Sequence, residues 1–231
     1  MDRVISSYTP TLTALAEARR DDAAAPTRPA REQGHMLVVS VPELDDAESA
    51  LPGVARSRDI LATLFGPEHS TVLNGSAATV DAVLQAVPDH PWLHVGCHGN
   101  RDMTSLREGG LSLWDGRLTI AHLSDLNHPA GEFAFIGACQ TAIPSSAVPD
   151  EMISLATALH HGGYRQVIGS LWTVGDAATS MIADEVYRHL VRDTRLYPRE
   201  AAQALHNAVR RLRDEAPHLP SIWTHFTHLG P

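Results

Sequence analysis

The chain of 231 residues is long enough for one large α/β domain or two small ones. Its formal net charge of −9 argues against a nucleic-acid binder, because phosphate binding requires a basic surface. It contains no apolar run of roughly 18 residues, so we expect no membrane partner. The N-terminus has no apolar core followed by a small-residue cleavage site, so we expect no secretory signal. Two cysteines are too few for a disulfide framework, which predicts a cytoplasmic location.

The first 35 residues differ in composition from the rest of the chain. A short helix is predicted over Leu12 to Arg20, and the stretch that follows is rich in alanine, proline and charged residues. Such a stretch offers little apolar surface that folding can bury. We therefore predict a tail or linker over residues 1–35 and a folded domain over residues 36–231.

Strand and helix patterns alternate from Met36 onward. Short apolar runs predict buried strands at 36–41, 70–73, 92–97, 133–138 and 166–171. Helical spacing of apolar residues predicts helices at 55–65, from Ser76 as the N-cap through Val87, around 152–159, at about 176–191 and at 198–214. This alternation favours an α/β fold with a mostly parallel sheet and helices on both faces.

Two segments depart from the simple alternation of strand and helix. The sequence LSLW, Asp115, Gly116, RLTI predicts a β-hairpin, because two β-prone runs flank a two-residue turn. The last segment, SIWTHFTHLG, alternates in a way that predicts a closing strand.

Reactive residues follow two of the predicted strands. The strand at 92–97 runs into His98 and Gly99, and the strand at 133–138 runs into Cys139. Reactive groups gather at the carboxyl ends of parallel strands, so neighbouring strands would bring the imidazole and the thiol together. The histidine can then remove the thiol proton and later protonate a leaving amine. The amides of Gly99 and Cys139 are the predicted donors to an oxyanion.

Four segments resemble, in order and spacing, the CHAT domain of bacteria. They are HVGCHG, IGACQTA, GGYRQVIGSLWTVGDAAT and SIWTHFTHLG. That domain is a caspase-like peptidase domain, related to caspases and separase and often found with tetratricopeptide repeats. The resemblance implies a caspase-type α/β/α sandwich in which His98 is the catalytic histidine and Cys139 the nucleophile. It further implies a cysteine endopeptidase that needs no cofactor and cleaves a protein substrate. Because no repeat array is present, a separate regulatory protein is an expected partner, unless that module lies outside this sequence.

Asp176 has two interpretations. It begins the helix that follows the strand at 166–171, where the helix dipole favours a carboxylate. Alternatively, it lines the pocket for the residue before the cleaved bond, and the enzyme then prefers Arg or Lys there. Asp150, Glu151 and Trp172 are the other candidates for that pocket. The loop at 141–149 is predicted to be poorly ordered without substrate, since it joins small residues and prolines without any period.

Two other functions remain open at this point. One is a catalytically silent scaffold or signalling module, and the other is a thiol-dependent hydrolase or acyl transferase acting on non-peptide substrates. A zinc site built from His94, Cys97, His98 and Cys139 is disfavoured, because residues 97 and 98 point to opposite faces of a strand. The same alternation makes Cys97 a buried, inert thiol.

Overall fold

The computed structural model of the chain describes residues 4–9, 11, 15–16, 34–43, 50–100, 110–138, 155–171 and 175–231. Its strands are β1 (Met36–Ser40), β2 (Ser70–Asn74), β3 (Trp92–Gly96), β4 (Gly99–Asn100), β5 (Gly110–Ser112), β6 (Arg117–Thr119), β7 (Phe133–Gly137), β8 (Gln166–Ser170), β9 (Val191–Arg192), β10 (Arg195–Leu196) and β11 (Phe226–Leu229). Its helices are α1 (Pro52–Phe65), α2 (Val80–Ala86), α3 (Ile120–Ser124), α4 (Leu155–His161), α5 (Asp176–Leu190), α6 (Ala201–Glu215) and α7 (Pro220–Trp223).

Six strands form the central sheet, in the spatial order β2-β1-β3-β7-β8-β11. All neighbours pair in parallel except β8 and β11, which are antiparallel. Successive residues of each strand point to opposite faces, so each buried strand supplies two apolar layers. One layer packs against α2, α3 and α4, and the other against α1, α5 and α6. The predicted mostly parallel sheet with helices on both faces is confirmed.

Most helix boundaries lie within a few residues of the predicted ones. A single 3₁₀ turn, Pro198–Glu200, precedes α6, so Pro198 opens this region as expected but not the α-helix itself. The longest described helices, α5 and α6, have 15 residues each. Within the described ranges, no helix is long and apolar enough to cross a membrane.

The prediction of Ser76 as a helix N-cap is wrong. Ser76 lies in a 3₁₀ turn, and α2 begins at Val80 with Thr79 as its N-cap. The Thr79 hydroxyl accepts a hydrogen bond from the Ala82 amide at 3.2 Å, and the Asp115 carboxylate accepts one from the Val80 amide at 2.9 Å. These two acceptors satisfy the first turn of the helix, so the helix starts there.

The predicted hairpin is present, but its strands are shorter than expected and its turn lies one residue earlier, at Trp114 and Asp115. β5 and β6 pair antiparallel, and the Leu113 amide donates to the Gly116 carbonyl at 2.8 Å across the turn. Ile120 belongs to α3 instead of the second strand, because Thr119 caps that helix through the His122 amide.

The closing strand is shorter than predicted as well. Pro220 opens the short helix α7, where a residue without an N–H fits the first turn, and only Phe226–Leu229 form a strand.

Tyr8 forms a single parallel β-bridge with Leu229 of β11. The Tyr8 amide donates to the His228 carbonyl at 2.9 Å, and the Gly230 amide donates to the Tyr8 carbonyl at 3.0 Å. Part of the segment predicted as a tail or linker therefore extends the sheet. The predicted helix over Leu12 to Arg20 is described only at Leu15 and Ala16, and the loop at 141–149 lies outside the described residues.

Five of the described histidines are buried, and for two of them, His94 and His228, burial lowers the pKa strongly. His94 stacks on Phe135 and lies 3.1 Å from the Tyr187 hydroxyl, and burial lowers its pKa to about 3. His228 is fully buried, with Nε2 at 2.7 Å from the Gln166 side-chain oxygen, and burial lowers its pKa to about 4, with a smaller contribution from His160. Both imidazoles are therefore neutral in the folded protein at neutral pH.

These buried histidines predict a loss of stability in mild acid. The unfolded chain protonates both imidazoles as the pH falls through about 6.5, whereas the folded protein protonates them only near about 3 to 4. One pKa unit corresponds to about 1.4 kcal/mol, so these two groups should lower the free energy of unfolding by about 4 kcal/mol between roughly pH 7.5 and pH 5. Burial also lowers the pKa values of His160 and His225, which adds to the loss. Urea denaturation at both pH values measures this loss.

A matched pair of variants assigns the acid sensitivity. His228→Gln should lose about 2 kcal/mol less than the wild type over this range, because one buried protonation site is gone. His218→Gln, at an exposed position, should show the full loss. A wild-type stability that does not change over this pH range would contradict the assignment.

Candidate active site

The strands that precede the two predicted catalytic residues are neighbours in the sheet. β3 and β7 pair in parallel, with Trp92 opposite Phe133 and Gly96 opposite Gly137. The predicted adjacency of these strands is confirmed. His98 lies two residues beyond Gly96, and the same register makes position 139 its counterpart beyond Gly137. Cys139 itself lies outside the described residues.

The backbone beyond β3 is fixed by the small sheet β4-β5-β6. The Ser112 amide donates to the His98 carbonyl at 2.9 Å, and Gly99 lies opposite Leu111. Gly99 and Leu111 thus form the antiparallel pair type that exchanges no main-chain hydrogen bonds with each other. The N–H of Gly99 consequently points away from β5. This direction suits the predicted oxyanion donor.

The N-terminal turns of α1 and α5 cover one side of these strand ends. A Cβ atom on Gly96 would lie 2.9 Å from Val54 Cγ1, and one on Gly137 would lie 3.3 Å from Thr179 Cγ2. Glycine at both positions therefore lets the helices approach the sheet closely. The amino ends of two long helices carry partial positive charge, so this arrangement favours an anion at the ends of β3 and β7.

Asp176 joins the starts of these two helices. It is the first residue of α5, as one of the two interpretations predicted. Its carboxylate accepts hydrogen bonds from the Gly53 amide and, at 3.1 Å, from the Val54 amide. A Cβ atom on Gly53 would lie 2.6 Å from the Asp176 carbonyl oxygen, so only glycine fits there. The N-cap residue of α1, Leu51, has no side-chain acceptor, and Asp176 supplies the missing cap.

Sequence reasoning missed this second role of Asp176. It considered only the start of α5, the helix that contains Asp176. The carboxylate also caps α1, whose Gly53 and Val54 amides lie 123 and 122 residues earlier in the chain. One sequence feature could have indicated this role. Pro52 is typical of a helix start, and the residue before it, Leu51, has no side chain that can cap the helix. The pocket role of Asp176 stays a prediction, and Asp150, Glu151 and Trp172 lie outside the described residues.

Cys97 faces away from the strand ends, as strand alternation predicted. It is 2% exposed and packs in the apolar layer beneath α2, α3 and α4. His94 lies on the opposite face of β3, against Phe135 and Tyr187. The two side chains therefore cannot ligate the same ion, which removes the four-residue zinc arrangement.

Ser170 is a further polar residue at this end of the sheet, and sequence reasoning missed it. Its side chain is buried, and its hydroxyl donates to the Ala138 carbonyl at 2.6 Å. Nothing in the local sequence distinguishes it from any serine at a strand end. The contact depends on β7 and β8 being neighbours in the sheet.

The sequence model of the CHAT domain matches residues 1–231, which is the whole chain. The chain belongs to the CHAT-domain family. No protein with a curated description matches it in sequence. The match to the family model confirms the resemblance noted from the four segments.

Solved structures with the same fold include two kinds of cysteine peptidase. The crystal structure of gingipain R, described as an Arg-specific cysteine proteinase, matches with a TM-score of 0.60 and 16% identity, over 93% of this chain and 51% of that chain. The complex of the pro- and mature domains of RgpB from Porphyromonas gingivalis matches with a TM-score of 0.54 and 17% identity, over 86% and 47%. The separase–securin complex of Saccharomyces cerevisiae matches with a TM-score of 0.67 and 11% identity, over 97% and 14%.

These likenesses establish the fold of the CHAT domain. Its α/β/α sandwich is the caspase type, as the family resemblance implied. The chain spans about half of the gingipain chains and about a seventh of the separase chain.

The cap between the two helices predicts a loss of stability in Asp176→Ala. Removing the carboxylate leaves the Gly53 and Val54 amides without their acceptor, and loss of an N-cap costs about 1–2 kcal/mol. Urea denaturation at pH 7.5 measures the loss. Asp184→Ala is the matched control, because Asp184 lies on the same helix and forms an ordinary i,i+4 ion pair with Arg188. Equal stability of the two variants would show that Asp176 does not hold the helix starts together.

Proposed function

We propose that this CHAT domain is a cysteine endopeptidase that uses His98 and Cys139 as a catalytic dyad. The observation that carries the proposal is the parallel register of β3 and β7, with Gly96 opposite Gly137. β3 and β7 end at this pair, at the same end of the sheet, and His98 and Cys139 each follow two residues later in the sequence. Adjacent strand ends suit a dyad in which the His98 imidazole must come within reach of the Cys139 thiol.

The proposed reaction proceeds through a thioester. His98 takes the thiol proton, and the thiolate adds to the carbonyl carbon of the peptide bond. The bond to the amine breaks, the amine leaves with the proton held by His98, and the acyl group stays on sulfur. Water then adds with His98 as the base and releases the acid. The N–H of Gly99, which points away from β5, and the amide of Cys139 are the proposed donors to the oxyanion of each tetrahedral intermediate.

His98 and the helix starts at the site support the ionised form of the thiol. The amino ends of α1 and α5 lie against the ends of β3 and β7, at Gly96 and Gly137. Thiol pKa values fall near helix N-termini and near histidine. A thiolate at position 139 would be stabilised chiefly by His98, because the Asp176 carboxylate already occupies the start of α1. Cys97 lies in the opposite apolar layer.

Cleavage after Arg or Lys is the proposed specificity, with Asp176 as the recognition residue. The gingipain R neighbour is described as Arg-specific, and Asp176 places a carboxylate beside the strand ends in this chain. Its two amide contacts leave lone pairs available, since a carboxylate offers about four acceptor positions. A guanidinium ion can use them in a charge-assisted pair. Trp172 and Asp150 are the proposed further residues of the pocket.

A regulatory protein partner is also proposed. The separase neighbour was solved in complex with securin, which shows that a protein of this fold can be held by a separate chain. The net charge of −9 favours a basic segment in such a partner or in the substrate.

The peptidase proposal predicts new protein N-termini that depend on Cys139. A proteome extract incubated with the wild-type protein should yield N-termini that are absent with Cys139→Ala and reduced at least about 100-fold in rate with His98→Ala. N-terminal mass spectrometry measures them. Cys97→Ala is the matched control and should cleave the same sites, because Cys97 is buried in the opposite layer.

Other results would favour the alternative functions. Unchanged N-termini together with labelling of Cys139 by ester probes would support a hydrolase or acyl transferase on non-peptide substrates. Unchanged N-termini without any labelling would support a catalytically silent scaffold.

The specificity proposal predicts that Asp176→Asn loses activity selectively. The rate ratio between an Arg peptide and its matched neutral peptide should fall by about 10-fold to 100-fold, because charge-assisted hydrogen bonds contribute about 1.5–3 kcal/mol. Asparagine keeps one of the two acceptor oxygens, so one of the two amide bonds at the start of α1 is kept and the other is lost. The ratio of the two peptides cancels a general loss of activity from the weaker cap. An unchanged ratio would leave Asp176 with its capping role alone and move the pocket to other residues.

A further inference from the structure

The main-chain ladder between β7 and β8 ends before either strand does. The last paired residues are Phe135 and Ile168, although β7 continues to Gly137 and β8 to Ser170. Beyond that point the described contact between the two strands is a side-chain bond, in which the Ser170 hydroxyl donates to the Ala138 carbonyl at 2.6 Å. The hydroxyl thus takes the place of a ladder bond where the two strands separate.

Ser170 is itself held firmly. Its side chain is 1% exposed, and on its other side it pairs with Phe226 of the antiparallel strand β11. The next residue, Leu171, donates its amide to the His225 carbonyl at 2.6 Å. A hydroxyl on such a fixed backbone can hold its acceptor in one orientation.

The acceptor is the carbonyl of the peptide unit that leads into Cys139. A peptide unit is planar, so its C=O and N–H point in opposite directions and rotate together. A hydrogen bond that fixes the Ala138 carbonyl therefore also fixes the direction of the amide on the other side of that bond. Donation to a carbonyl polarises the amide as well, which makes its N–H a stronger donor.

We propose that Ser170 is a positioning residue for the oxyanion hole. It acts through the Ala138 carbonyl on the Cys139 amide. This inference rests on the proposed function. When the thiolate adds to the substrate carbonyl, a carbon–sulfur bond forms and the carbonyl π electrons move to oxygen. The Cys139 amide, aimed by Ser170, donates to that oxygen.

Peptide hydrolysis by Ser170→Ala tests the role. With a fluorogenic peptide amide that the wild type cleaves, kcat should fall by about 10-fold while KM stays the same, because an oxyanion donor acts mainly in the transition state. Ser170→Thr keeps a hydroxyl and should recover most of the activity. Ser180→Ala is the matched control, since it removes another buried hydroxyl, one bonded to Ser57 at 3.3 Å, and should keep the wild-type kcat.

Two reagents that react with the Cys139 thiol distinguish a misplaced oxyanion donor from a loss of thiolate reactivity. Iodoacetamide reacts with a thiolate without creating an oxyanion, so Ser170→Ala should alkylate Cys139 at the wild-type rate. A peptide aldehyde forms a tetrahedral adduct whose oxygen needs the donor, so its inhibition constant should rise by about 10-fold. If Ser170→Ala does not fold, Ser170→Cys replaces it, because it fills similar space and donates only weakly.

The outcomes distinguish this inference from the function on which it rests. An unchanged kcat and aldehyde affinity in folded Ser170→Ala, with an active wild type, would overturn the inference and leave the peptidase intact. An equal loss of alkylation and hydrolysis would also overturn it, because the damage would then lie in the thiolate. A wild type that cleaves no peptide would overturn the proposed function and the inference together.

Discussion

The parallel register between β3 and β7 is the constraint on which the other features of the site depend. Gly96 lies opposite Gly137, so His98 and position 139 are both two residues past the same rung. A slip of one residue would send equivalent side chains to opposite faces of the sheet. Strand alternation also puts Cys97 into the apolar layer beneath α2, α3 and α4.

Close packing of helices on the sheet depends on the two glycines that end these strands. Val54 and Thr179 occupy the space that side chains at Gly96 and Gly137 would fill. The Asp176 carboxylate then ties the two helix starts to each other through the Gly53 and Val54 amides. One residue thus contributes to stability and, in the proposed function, to recognition, so its two roles have to be separated by variants that keep the cap.

The sequence predicted the sheet well because buried parallel strands produce short apolar runs, and these runs remain visible whatever the tertiary contacts are. It also predicted the two neighbouring strands that precede His98 and Cys139, because strand ends are local features. It missed the Ser170–Ala138 and Asp176–Gly53 bonds because these join residues 32 and 123 positions apart, through a topology that no local pattern encodes. Ser76 failed as an N-cap for a related reason. Thr79 has equal local merit, and a tertiary contact from Asp115 to the Val80 amide favours the later start.

The central claim is that His98 activates the thiol of Cys139. The most direct measurement is the rate of Cys139 alkylation by iodoacetamide as a function of pH, resolved by mass spectrometry, in the wild type and in His98→Ala. An imidazole partner stabilises the thiolate, so the wild-type rate should reach its plateau well below the usual thiol pKa of about 8.5. In His98→Ala the rise should move to about pH 8.5 or above. Identical pH profiles for the two proteins would contradict the dyad.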